Sequence, residues 1–167
     1  KIGPEMEYVN IAGKAAIKAT NIADGSSADL LTDGVIKFYS WDDFINEFTT
    51  GKKKKTEITL TYDDYVAVRA LMIYNSYDYE YHFESVDRIE MDFVKTVNGV
   101  DVEGTAYIDD LRFDTARYIN TAVEGEEFMR PGGAAIAEFD ELKVKEIRIT
   151  FNSDRPIAIS EIYVLGK

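Results

Sequence analysis

Apolar and polar residues alternate along most of this chain. In Thr56–Tyr62, Ile58, Leu60 and Tyr62 share one face, and Glu57, Thr59 and Thr61 share the other. The same two-residue period recurs at 88–93, where Ile89, Met91 and Phe93 oppose Arg88, Glu90 and Asp92. It recurs again at 146–151 through Ile147, Ile149 and Phe151. Successive side chains of a strand point to opposite faces, so this period predicts half-buried strands. The stretches 67–74 and 157–165 are apolar on both sides, as strands in the middle of a packed sandwich are. Asn98-Gly99, between two alternating runs, is a two-residue hairpin signal. Many short strands with little helix predict an all-β protein, a sandwich or barrel.

One segment departs from the period. In 40–51, Trp41, Phe44, Ile45 and Phe48 fall at helical spacing, Ser40 is placed as an N-cap with Asp43 as its capping-box acid, and Gly51 follows the end. This predicts one short helix against the sandwich. Pro131, Gly132 and Gly133 predict a loop at 129–135.

Composition narrows the functional classes. At 167 residues the chain suits one domain, with 46% apolar and 30% charged residues. A formal charge of −12 argues against nucleic acid and against an anionic membrane surface, both of which attract basic proteins. No run reaches the length of a membrane-spanning helix, so no membrane insertion is expected. The one basic block, Lys52–Lys55, reads as a solvated turn, with an anionic polysaccharide site as the alternative. Without cysteine there is no disulfide scaffold, thiolate chemistry or cysteine–zinc site. The opening "KIGPEMEY" is compatible with the start of a mature or excised fragment.

Catalysis finds little support. His82 is the single histidine, so a Ser–His–acid arrangement would have to use it. The adjacent acid pairs, such as Asp63-Asp64 and Asp109-Asp110, point to opposite faces if they lie on strands. A nucleophile elbow, a phosphate loop and a dinucleotide fingerprint are all missing.

Two segments carry candidate binding chemistry. In the terminal strand, Glu161 interrupts a face of Ile157, Ile159, Tyr163 and Leu165. A carboxylate there costs several kcal/mol unless it is paired or metal-bound. Its partner is either an arginine, Arg148 or Arg155, or a hard cation, for which carboxylate and carbonyl oxygens are suitable ligands. The second segment is 74–85, where Tyr77, Tyr79, Tyr81 and Phe83 alternate with Asp78, Glu80, His82 and Glu84. If it is all strand, the rings face the core and the acids face water. If it is a loop tip, the rings form a platform. Alternating buried tyrosines leave several hydroxyls to satisfy, which favours a split: Tyr81 and Phe83 in the core, Tyr77 and Tyr79 exposed at the tip.

The order "SADLLTDGV…W", "TEITLTYDDYVAVRALMIYNS", "VDRIEMDF" and "VKEIRITFNSDRPIAISEIYVLG" resembles the galactose-binding-domain-like superfamily. That superfamily holds discoidin or coagulation-factor type C domains and related bacterial carbohydrate-binding modules. The likeness spans nearly the whole chain and implies a jelly-roll β-sandwich that is not itself an enzyme. It implies a single domain over 1–167, a monomeric module within a larger chain, located outside the cell or on a bacterial cell surface. It further implies a structural calcium between the Asp-Gly loop and the terminal acid. Carried over, the metal residues are Asp33 and Glu161 by side chain, with Leu31 and either Tyr39 or Ser40 supplying further oxygens. The family often has Asp or Asn directly after the glycine, where this chain has Val35. For the carbohydrate partner, a ring under the sugar and polar groups at its hydroxyls are implied: Tyr77, Tyr79, Asp78 and His82, with Trp41 and Arg112 from neighbouring loops. The rival expectation is an interaction or spacer domain of a cell-surface protein that binds no sugar; a hydrolase is the third.

Overall fold

The structure is a computed structural model that describes residues 8–37, 39–40, 46–113, 128–129 and 133–167; at 39, 40, 79, 128 and 129 it describes the backbone only. The strands are β1 (Val9–Asn10), β2 (Ala16–Ala19), β3 (Tyr39–Ser40), β4 (Phe48–Thr49), β5 (Lys55–Asn75), β6 (Ser85–Val97), β7 (Val100–Arg112), β8 (Phe128–Met129), β9 (Ala134–Asn152) and β10 (Ala158–Gly166). Eight of them form one antiparallel sheet with the path β1-β10-β5-β9-β6-β7, β2 joining at β5 and β4 at β10. β3 and β8 pair separately. Among the described residues no helix is long and apolar enough to cross a membrane.

The period-two expectation holds for most positions, with two departures: Thr59, expected on the polar face, is buried, and Phe93, expected on the apolar face, is only half-buried. Ile58, Leu60 and Tyr62 are buried, as are Ile89, Met91, Ile147, Ile149 and Phe151. β5 and β9 run together from Lys55↔Asn152 to Tyr74↔Ala134, with a register break between Thr61 and Val66. Before the break β5 also carries β2, and after it β10. The two halves close on one core, to which β5, β6, β9 and β10 all contribute, giving the all-β jelly-roll sandwich. The buried Tyr62 hydroxyl is satisfied by donating to the Ile11 carbonyl at 3.0 Å. β10 is buried along nearly its whole length, as its two-sided apolar sequence predicts. Asn98 and Gly99 both take positive φ, 50° and 78°, joining β6 to β7 through the turn that matches strand twist.

The expected helix is corrected at its end. Phe48 lies in β4, paired with Ile159 of β10, and Ser40 lies in β3 opposite Phe128. Its middle, including Trp41, Phe44 and Ile45, falls outside the described residues. Burying the Phe48 ring against β10 outweighed the local helical spacing.

Candidate functional site

The loop between β5 and β6 is held by side chains that substitute for missing ladder bonds. Asn75 ends β5, and its amide spans the loop base. Nδ2 donates to the Phe83 carbonyl at 2.9 Å, while Oδ1 accepts from the Ser76 and Phe83 amides at 3.0 Å each. Asp78 then opens a 3-10 turn over Tyr79–Tyr81, its Oδ1 accepting from the Glu80 amide at 3.0 Å. Glu47, just before β4, braces the loop from below. It accepts from the Ser76 hydroxyl at 2.6 Å and from the Tyr77 amide at 3.0 Å. From the other side the Arg155 guanidinium donates to the carbonyls of Glu80 at 2.6 Å and His82 at 2.7 Å. Burial raises Glu47 to about 7, against the lowering effect of the Ser76 and Tyr77 hydrogen bonds.

That turn carries the loop through Tyr81, which the ring assignment placed in the core, and β6 begins only at Ser85. Tyr77 is 7% exposed and belongs to the interior, whereas Tyr81 is 40% exposed, so the expected roles of these two are exchanged. Phe83 is buried as expected. The Tyr79 side chain and Trp41 lie outside the description. His82 is also inside, 5% exposed, with Nε2 at 2.8 Å from the Ser76 carbonyl and its ring edge-on to Phe113. A carbonyl only accepts, so Nε2 carries the proton. Burial lowers the His82 pKa, keeping the ring neutral at pH 7. The ring packs in the interior, where it borders the second of the pockets described next. Arg112, at the end of β7, is exposed and paired with Asp110 at 3.3 Å; it lines neither pocket beside the loop.

Those two pockets flank the loop. One, of ≈280 Å³, is bordered by Tyr81, Asp78, Tyr77, Asn46 and Glu47. The other, of ≈330 Å³, is bordered by His82, Glu84, Asn152, Asp154 and Arg155 over Phe83 and Phe151. The first joins an exposed ring to a carboxylate and an amide on a braced backbone, the combination that grips a polyol with an apolar face.

The second candidate lies between the 30–37 loop and β10. Gly34, at φ 85°, turns its amide onto Glu161 Oε2 at 2.7 Å. The Lys37 amide donates to Ser160 Oγ at 2.7 Å. The Lys37 side chain, wholly buried, brings its ammonium to Asp33 Oδ1 at 2.7 Å, to Glu161 Oε1 at 2.9 Å and to the Leu30 carbonyl. Glu161 is thus met by lysine and by neither expected arginine. Arg148 is engaged by Asp92 and Glu146, and Arg155 by the loop carbonyls. Burial raises Glu161 to about 7, with Lys37 opposing. For Asp33 burial also raises, but the hydrogen bonds from Lys37 and the Val35 amide outweigh it and the pKa is lowered.

The expected calcium ligands do not assemble as a calcium site. Calcium takes six to eight oxygens at about 2.3–2.6 Å. The oxygens of Asp33 and Glu161 converge on an ammonium, and the third acceptor is the carbonyl of Leu30, not of Leu31. The Leu31 side chain is in the core, while Tyr39 and Ser40 take part in the β3–β8 pair. Among the described residues no three acids, histidines or cysteines cluster to hold a metal.

No family model matches the chain, and no curated protein matches it in sequence. Solved structures do. A Streptococcus pneumoniae fucose binding module, SpX-3, is 18% identical with a TM-score of 0.58, over 93% of this chain and 96% of that one. The lectin domain of lectinolysin complexed with Lewis B antigen is 13% identical with a TM-score of 0.58, over 93% and 95%. The family 32 carbohydrate-binding module of C. perfringens NanJ, in complex with galactose, is 16% identical with a TM-score of 0.53, over 95% and 98%. The chain therefore has the galactose-binding-like β-sandwich fold that these modules share.

Proposed function

We propose that this chain is a carbohydrate-binding module without catalysis of its own, holding a glycan for an attached or associated enzyme. The observation that carries this reading is the exposed Tyr81 ring beside Asp78, Asn46 and Glu47 in the ≈280 Å³ pocket. In this reading Tyr81 lies under the apolar face of a sugar, and Asp78 and Asn46 bond its hydroxyls. The fold supports it, since similar solved structures are a fucose binding module and a module complexed with galactose. The burial of His82, with Nε2 donating to a backbone carbonyl, supports a non-catalytic role because that nitrogen is not available as a base. The module would act outside the cell or on a bacterial cell surface, as a monomeric part of a larger protein. Binding would be weak to moderate, because a shallow site buries little area.

A glycan array probed with the domain and with Tyr81→Ala tests the reading. Sugar binding lost in the variant at unchanged Tm is the expected result. A blank array from folded protein overturns it in favour of the spacer alternative. Binding that survives Tyr81→Ala moves the site away from this pocket.

A further inference from the structure

We propose that the ammonium of Lys37 is the resident cation of this fold, covalently attached where a divalent ion would otherwise brace the 30–37 loop, and that the domain is independent of calcium. The inference stands apart from the proposed sugar site, which it does not use.

The geometry is that of a lysine, not of a displaced metal. An ammonium has three N–H donors and no acceptor, and three oxygens meet it: Asp33 Oδ1 at 2.7 Å, Glu161 Oε1 at 2.9 Å and the Leu30 carbonyl. The other Glu161 oxygen is taken by the Gly34 amide, and Asp33 Oδ1 also accepts from the Val35 amide at 3.0 Å. Asp33 Oδ1 and both oxygens of Glu161 are thereby engaged, and Val35 adds no side-chain oxygen. A calcium ion would have to expel a lysine side chain that is 0% exposed, together with its buried stem. Charge agrees with this. One ammonium facing two carboxylates, one of them poised to hold a proton near neutrality, comes close to balance without a second positive charge. The tether matters as well: a covalent cation cannot be removed by a chelator or diluted away. Lys37 also fixes its own backbone to β10 through Ser160, so the side chain and the amide anchor the same loop to the same strand.

The first experiment is thermal unfolding of the intact chain in EDTA and in millimolar calcium. An ion present at a hundred times its Kd would raise Tm by about 8 °C. The expected result is no shift, with no heat of calcium binding in calorimetry. A calcium-dependent rise in Tm with stoichiometric binding overturns the proposal. The second compares Lys37→Met, Glu161→Gln and the double variant. Leaving Glu161 unpaired should lower Tm by about 10 °C, and removing both charges should recover much of that loss. Should Lys37→Met not fold while the double variant does, the same coupling is shown. Additive losses would overturn the pairing. If neither variant folds, the calcium titration of the unaltered chain decides alone.

Discussion

Glu161 and Glu47 are both buried, at 0% and 8% exposure, and burial raises both to about 7. Yet the first is met by an ammonium and the second, among the described residues, by neutral donors, the Ser76 hydroxyl and the Tyr77 amide. Each ties a loop to the same part of the sandwich: Glu161 lies in β10, and Glu47 precedes β4, which pairs with β10. The difference shows two ways of keeping a carboxylate inside. An ion pair fixes a loop through charge. A carboxylate among hydroxyl and amide donors fixes a loop through direction, and can take up a proton without losing the donors' neighbourhood. The first suits a permanent brace and the second a binding loop.

The largest expected effect comes from removing the second brace. Glu47→Ala leaves the Ser76 hydroxyl and Tyr77 amide without their acceptor in the interior and opens a cavity. The loss should be about 3 kcal/mol, with faster hydrogen exchange confined to 76–84. Glu47→Gln retains one carbonyl acceptor and should lose far less. Equal losses would mean that both carboxylate oxygens are needed and that volume, which Gln preserves, contributes little.

Next in size is the pH dependence. Glu47 in the folded protein holds its proton up to about 7, whereas in the unfolded chain it releases it near 4.5. The folded state therefore binds more protons between these values. Its contribution is fully present below pH 4.5 and is lost as pH rises through 7. At roughly 1.4 kcal/mol per pH unit this amounts to about 3 kcal/mol. Glu161 adds a loss of the same sign, while His82, whose pKa is lowered, contributes in the opposite direction. Glu47→Gln separates these contributions. Its denaturation midpoints between pH 4.5 and 7 should be flatter than those of the unaltered chain, and superposed profiles would show that Glu47 does not titrate in this window.

How much of this was legible in the sequence follows from which rule governed each segment. The strands through Ile58–Tyr62, Ile89–Met91 and Ile147–Phe151 were legible because one face of each is buried, and a one-residue slip would turn the whole set outward. The Asn98-Gly99 turn was legible because few residues tolerate two successive positive φ values. Glu161 was recognisable as an acid in need of a partner, but the partner was not. Lys37 stands four residues after Asp33 in a short loop with no period to place it, and 19 lysines and arginines compete for the role. The one signal available was its position after Val35 and Ile36, an apolar lead-in unusual for a solvated lysine. Tyr77 and Tyr81 were exchanged because the next strand was expected to begin by Tyr81, whereas the turn that Asp78 opens runs through Tyr81 and the strand starts only at Ser85. Propensity and period describe regular elements, and both candidate sites lie where side chains replace backbone pairing.

The smallest expected effect tests whether the Lys37 cluster behaves as one unit or as two pairs. Asp33 is the exposed member, with 35% of its side chain accessible, against 0% for Lys37 and Glu161. Asp33→Asn keeps an oxygen for the ammonium and for the Val35 amide but removes a charge that solvent already screens. The loss should be below about 1 kcal/mol, and smaller still at high salt. Burial alone would then explain why the two carboxylates around one ammonium differ so much. A loss comparable with that of Glu161→Gln would instead mean that the ammonium needs both charges and that the cluster titrates as a triad. The two braces would in that case differ in kind, one being a charge network and the other a single hydrogen-bonded side chain.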